Sequence, residues 1–430
     1  MSRSDETIES DDIQMDAPSV VAELDAKPRL FTTSWWWRWA LGTCFARITE
    51  PMATLALISL GTYVSGYAYG AFLVSVYVLT GALTATASGK ALDRARNPRQ
   101  MVMIMTVSSF LLHVALALAG TFRLSSVAIT ATTALCAALP GGLPGLSRSV
   151  LVKYADARVM KTALSWDSIM TEVGWILGPV AIAGLSLLGL PWVEVVAMAV
   201  TFLGVSLFLG PLVGAAPAEA RPQHEKAESA SASESGSLWS YRLARPSLVD
   251  SISVGMAVTG IVSALPILLS QAGASSSWSG ILVSVLAGTG IAGTLCYGKA
   301  AGRITVHITV QSFITLFGVI ASVVGLAFSD SPVWMAIWVG ISGFFITPFN
   351  TQRSISLEAS IPASLHTQGF SAQFALFGLG SAISAGMLAL ISDVPSALLA
   401  IGVISLSISA ATNAAVRKQI VASMNDQARK

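Results

Sequence analysis

The sequence predicts an all-α polytopic membrane protein of about twelve transmembrane helices, arranged as two pseudo-repeated six-helix bundles. Three observations carry that prediction. Of 430 residues, 53% are hydrophobic and only 11% charged, whereas a soluble domain carries about a quarter charged residues. The apolar residues fall in long runs. A short basic motif recurs between the two halves of the chain.

The runs come first. A span needs about 20 predominantly apolar residues, and such stretches lie at 36–61, 69–89, 101–121, 126–150, 162–186, 191–213, 247–271, 277–297, 308–328, 332–354, 367–391 and 395–416. Gly and Pro inside several of them suit bilayer helices, where neighbours re-satisfy freed backbone groups. Cys44, Cys136 and Cys296 all fall within these runs, and their spacing suits buried hydrophobes rather than ligands.

Orientation follows from Lys and Arg. The loop after span 2 holds Lys90, Arg94, Arg96 and Arg99, and the loop after span 4 holds Lys153, Arg158 and Lys161. Lys299 and Arg303 follow span 8, and Arg417, Lys418, Arg429 and Lys430 end the chain, while the alternate loops carry only Arg123. By the positive-inside rule both termini are expected in the cytoplasm of a cell (inner or plasma) membrane. Trp35, Trp36, Trp37 and Trp39 read as one interfacial belt, and Trp192, Trp278 and Trp334 as the opposite one.

Five segments follow. Residues 1–34, with eight acids, are expected to form a disordered cytoplasmic tail rather than a signal peptide. Residues 35–213 form the first bundle, 214–246 an Ala/Ser/Glu-rich cytoplasmic linker, 247–416 the second bundle and 417–430 a cytoplasmic tail. The halves are related by sequence. Gly-Lys-Ala-Leu-Asp-Arg begins at Gly89 and Gly-Lys-Ala-Ala-Gly-Arg at Gly298, an offset of 209 residues. Pro144 with Arg148 is echoed by Pro348 with Arg353 at a similar offset.

The stretch GKALDRARNPRQ resembles the loop 2–3 signature of the major facilitator superfamily, through Gly89, Asp93, Arg94 and Arg99. The resemblance implies a transporter, with this motif as a conformational latch at the cytoplasmic ends of the halves. Gly174, Gly178 and Pro179 in span 5 resemble the Gly-x-x-x-Gly-Pro motif of the twelve-span drug and metabolite proton antiporters, without that motif's final paired glycines. The second copy of the loop motif has Gly302 where the first has Asp93, so its latch is expected to be weaker.

Ionisable residues at membrane depth cost roughly 2.5–3.5 kcal/mol on insertion scales and are functional candidates by default. Arg47 and Glu50 lie three apart on one face of span 1, either as an ion pair or with Glu50 exchanging a proton and Arg47 tuning it. Glu172 and Asp167 of span 5 are further proton-coupling candidates, Asp167 lying closer to the inner interface, where a solvated helix-start acid is the alternative. His113 in span 3 reads as a packing histidine. Arg148 and Arg353 sit at matching inner ends of spans 4 and 10, where acids or lipid phosphate can pair with them. Asp250 and Glu358 read as acids near the inner edge of the second half.

Candidates for lining a substrate cavity are Trp175, Trp338, Asn350, Gln352, Gln373 and Phe374. Trp175 and Trp338 could equally serve helix packing. No metal-ligand spacing, phosphate-binding loop or nucleophile elbow is present, so neither an enzyme nor a cofactor is expected. The expected partners are a small-molecule substrate, protons and the bilayer, with no nucleic acid, and the chain is expected to be a monomer. The function expected is proton-coupled efflux of a hydrophobic or amphipathic small molecule, with a polar-solute carrier and a transport-inactive sensor or assembly partner as alternatives.

Overall fold

The computed structural model describes residues 30–93, 95–155, 160–213, 238–275, 277–301, 308–361 and 366–428. Among these residues the secondary structure is helical. Among the described residues twelve long helical elements run Ser34–Ser65 (α1), Tyr67–Asp93 (α2), Pro98–Thr121 (α3), Ser126–Ala138 continued through a 3-10 turn by Leu143–Tyr154 (α4), Met160–Ser186 (α5) and Pro191–Phe208 with a last turn Gly210–Val213 (α6). The second six are Arg245–Gln271 (α7), Trp278–Ala301 (α8), Ile308–Ala327 (α9), Pro332–Ser360 (α10), His366–Leu390 (α11) and Val394–Ala428 (α12). Nine helices among the described residues are long and apolar enough to cross a bilayer. The described parts of α5 and α9 contribute shorter apolar helices, Met170–Ser186 and Gln311–Ala327.

Local chemistry sets the helix starts. Pro98, Pro191 and Pro332 open α3, α6 and α10, where a missing N–H costs nothing. The side chains of Asn97 and Ser125 accept bonds from Gln100 N (3.2 Å) and Ala128 N (3.3 Å), capping α3 and α4. Asp393 caps α12, accepting from Ser396 Oγ and from Ser396 N at 2.9 Å. Those two bonds hold its carboxyl below the usual carboxylate range. The turn from α1 to α2 passes through Gly66 at φ +103°, a backbone that glycine adopts freely. Gly61 and Gly70 then touch so closely that a Cβ on Gly61 would overlap the Gly70 backbone.

Within the first half, α1 packs on α2, α5 and α6, and α3 packs on α6 and α4. Within the second, α7 packs on α11 and α12, and α10 on α8 and α9. Two interfaces join the halves, α2 against α11 and α5 against α8, with a smaller contact of α1 with α7. The end of the bundle at which α1 begins and α12 finishes is called here the near end, and the opposite one the far end.

One expectation changes. Trp36 and Trp39 do not face outward as a belt would: they are 1% and 0% exposed. Their rings lie 4.9 Å apart, and Trp39 Nε1 donates to Ser147 O of α4 at 2.8 Å. An indole whose N–H has a carbonyl partner is stable when buried. Trp37, Trp192, Trp278 and Trp334 do stay exposed. Of the expected C-terminal tail, residues 417–428 continue α12 as helix. Of the linker, residues 214–237 lie outside the described residues. Leu238–Ser240 forms a 3-10 turn, and Arg245 Nε and Nη2 donate to Trp239 O at 2.9 and 2.7 Å.

Candidate substrate and coupling site between the halves

Small residues let the halves approach. A Cβ on Gly280 of α8 would overlap Pro179 O and Ala183 of α5. Next to that contact, Ser284 Oγ donates to Ile176 O at 3.0 Å. The other interface repeats this arrangement, since Ser75 Oγ of α2 donates to Ala382 O of α11 at 2.8 Å. Ser75 and Ser284 are separated by 209 residues, the offset of the repeated loop motif. At the far end, Ser186 Oγ donates to Ser277 Oγ at 2.9 Å, and Tyr67 OH to Ser263 O at 2.8 Å.

Toward the near end the pattern changes. Gly288, one turn beyond Ser284, has nothing within 4 Å of a Cβ position. Phe374, one turn beyond Gly378, where a Cβ would sit 2.9 Å from Ala82 Cβ, is 43% exposed. The described contacts therefore join the halves at the far end, and beside Gly288 and Phe374 they thin out toward the near end.

Glu172 lies at that divergence. Residues 172, 176, 179, 183 and 186 share one stripe of α5. Its last four turn to α8, through Ile176, Pro179, Ala183 and Ser186. Glu172 extends the stripe by one turn, to the level of Gly288, and is half-buried.

A second stripe of α5 faces α1. A Cβ on Gly174 would sit 3.0 Å from Arg47 C, and one on Gly178 would sit 2.9 Å from Ile48 O. The two glycines thus act as a close-packing seam of the kind bilayer helices use. Two turns below Gly174 on the same stripe, Asp167 Oδ1 meets Arg47 Nη2 at 3.6 Å. Asp167 is buried, 3% exposed, rather than a solvated helix-start acid. The ion pair that Arg47 makes thus crosses between helices, while Glu50 stays half-buried beside Pro51, within electrostatic reach of Arg47 and of Tyr77.

The other expected residues separate. Trp175 is partly buried against the main core. Trp338 packs its ring over Gly325 of α9, within the second half. Gln352 is also turned to α9, where its Oε1 accepts from Thr315 Oγ1 at 3.0 Å. Neither Trp338 nor Gln352 reaches the interface. Asn350 Oδ1 and Gln373 Nε2 are buried without hydrogen-bond partners among the described residues. Arg353 is 8% exposed, its Nε and Nη1 equally lacking partners, within electrostatic reach of Asp250 on α7. Asp250 is itself 4% exposed.

His113 is fully buried, with Nδ1 2.7 Å from Ser109 O and its ring 5.0 Å from that of Phe202. The latch is only partly visible. Gly89 and Asp93 lie in the last turns of α2 and Arg99 is exposed at the start of α3. Arg94, and the side chains of Asp93, Arg148 and Glu358, lie outside the described residues, as do Gly302 and Arg303. Glu194 escaped the sequence reading. It lies in the first turn of α6, is 1% exposed, and accepts from Ser59 Oγ at 3.1 Å. An acid four residues into an otherwise uncharged span was the available signal.

Residues 39–385 match the sequence profile of the Major Facilitator Superfamily. No curated protein matches the chain by sequence. Solved structures that resemble it include a peptide transporter POT in complex with sulfate, 15% identical, covering 89% of this chain and 94% of that one at a TM-score of 0.66. The nucleoside transporter NupG is 14% identical, with 89% and 99% covered and a TM-score of 0.66. A bacterial homolog of the human lysosomal transporter Spinster, in an inward-facing and unoccupied conformation, is 15% identical, with 90% and 96% covered and a TM-score of 0.64.

Proposed function

The chain belongs to the major facilitator superfamily, and from that premise we propose that it is a proton-coupled exporter of hydrophobic or amphipathic small molecules working by alternating access. The observation that carries the reading is the position of Glu172. A carboxyl on the stripe that joins the halves, one turn past the Ser284–Ile176 bond, meets the opening when the near end is apart and is covered when the halves close there. Its proton exchange is then tied to which end is open, which is the requirement for coupling two fluxes. The Arg47–Asp167 pair fixes α5 on α1 and so holds that stripe in place.

The near end is taken as cytoplasmic, because Lys and Arg gather there. On that assignment the packed far end corresponds to an inward-facing state. The tail 1–34, the linker 214–246 and the segment 417–430 all lie inside, and the motif of Gly89, Asp93, Arg94 and Arg99 latches the near end when it closes. The exposed ring of Phe374 beside the opening favours a greasy cargo.

A second reading, a carrier of polar solutes, draws on Asn350 Oδ1 and Gln373 Nε2, buried polar atoms that a hydroxyl-rich cargo would satisfy. A transport screen in proteoliposomes separates the two. With an imposed pH gradient, amphipathic dyes should be concentrated and sugars or nucleosides should not. Accumulation of the polar compounds alone would favour the second reading.

A further inference from the structure

At the far end a half-open space of about 230 Å³ lies between the halves, walled by α1, α2, α5 and α6 on one side and by α7 and α8 on the other. Its polar lining includes Ser59, Ser186, Glu194 and Ser270, and its apolar lining includes Ile182 and Pro266. One carboxylate oxygen of Glu194 accepts from Ser59. The other, Oε2, is buried with no hydrogen-bond partner among the described residues. Among the described residues no Lys, Arg or His lines this space.

An unpaired carboxylate in such surroundings is costly, so it must carry a proton or face a cation. A proton would neutralise the acid but make no use of the space beside it. A hard inorganic ion wants only oxygen ligands and would leave the apolar wall of Leu55, Ile58, Ile182 and Pro266 unused. An alkylammonium group uses the whole site. Its positive nitrogen faces Glu194, the serine hydroxyls take any N–H bonds, and its carbon substituents lie on the apolar wall. The volume, just under the roughly 300–1,000 Å³ of drug-sized pockets, suits a compact ligand.

We propose that this far-end cavity is a binding site for a small organic ammonium ion, with Glu194 as its counter-charge. It is separate from the opening beside Glu172 at the other end of the interface. Because both halves wall it, an occupant favours the state in which the far end is packed.

Binding is read without transport, so the test stands apart from the proposed efflux. The purified full-length protein is melted in detergent with tetraethylammonium chloride or sodium chloride at matched ionic strength. Tetraethylammonium should raise the melting temperature in a saturable way and sodium should not. Glu194→Gln, isosteric and uncharged, should weaken the apparent affinity at least tenfold. Thr62→Leu keeps the carboxylate and narrows the cavity from its wall, and should weaken it as well, which keeps the test open if the Gln variant is unstable. No shift in the wild-type protein, an equal shift with sodium, or unchanged affinity in both variants would overturn the proposal.

Discussion

Ser284 donates a hydrogen bond to the backbone carbonyl of Ile176, and that bond ties α8 of the second half to α5 of the first. Its counterpart from Ser75 to Ala382 joins the other pair of helices. Serine is well suited to both places. It is small enough for close helix approach, and its hydroxyl finds a carbonyl in a medium that offers no water. The internal repeat that links two short loop motifs in the sequence is thus also a repeat of inter-helix contact.

The far-end contact can be locked. Ser186 and Ser277 have hydroxyls 2.9 Å apart, which makes the pair a candidate for an engineered disulfide. The pair Ser186→Cys with Ser277→Cys should cross-link under mild oxidation and stop transport, and reduction should restore it. Free cycling of the cross-linked protein would show that this end need not open.

The ion pair between Arg47 and Asp167 predicts an asymmetry in stability. Breaking a buried pair from one side strands a charge and costs about 3–5 kcal/mol, whereas replacing both partners with apolar residues costs far less. Asp167→Leu or Arg47→Met alone should therefore lower the melting temperature strongly, and the double variant should recover most of the loss. Additive effects in the double variant would mean that the two side chains do not depend on each other.

Much of the scaffold was legible in the sequence, because a helix in lipid must be apolar along its length. Helices cover all twelve apolar runs, from α1 at Ser34–Ser65 to α12 at Val394–Ala428. Side-chain partners were not legible. Arg47 and Asp167 are far apart in the chain, and only the seam of Gly174 and Gly178 against α1 brings them together. Within span 1 the spacing of Arg47 and Glu50 suggested a local pair, and helix periodicity cannot see a neighbouring helix. Trp36 and Trp39 misled for the same reason: a run of tryptophans at a span's start looks alike whether it meets headgroups or the end of α4.

Topology is open to direct labelling. Ser65→Cys, in the exposed turn between α1 and α2, should react with an impermeant maleimide on intact cells. A cysteine in the 214–246 linker should react only after the cells are opened. The opposite pattern would invert the assignment of the near end to the cytoplasm.

The most direct test of the central claim is pH-driven uptake by Glu172→Gln in proteoliposomes, with Glu50→Gln measured alongside. If the carboxyl on the joining stripe carries the coupling proton, Glu172→Gln should lose accumulation against a gradient. It should keep downhill exchange, and its substrate affinity should no longer vary with pH, because the linkage between proton and substrate runs through that group. Glu50→Gln, off that stripe, should retain uphill transport. Accumulation by Glu172→Gln with the wild-type pH profile would contradict the account.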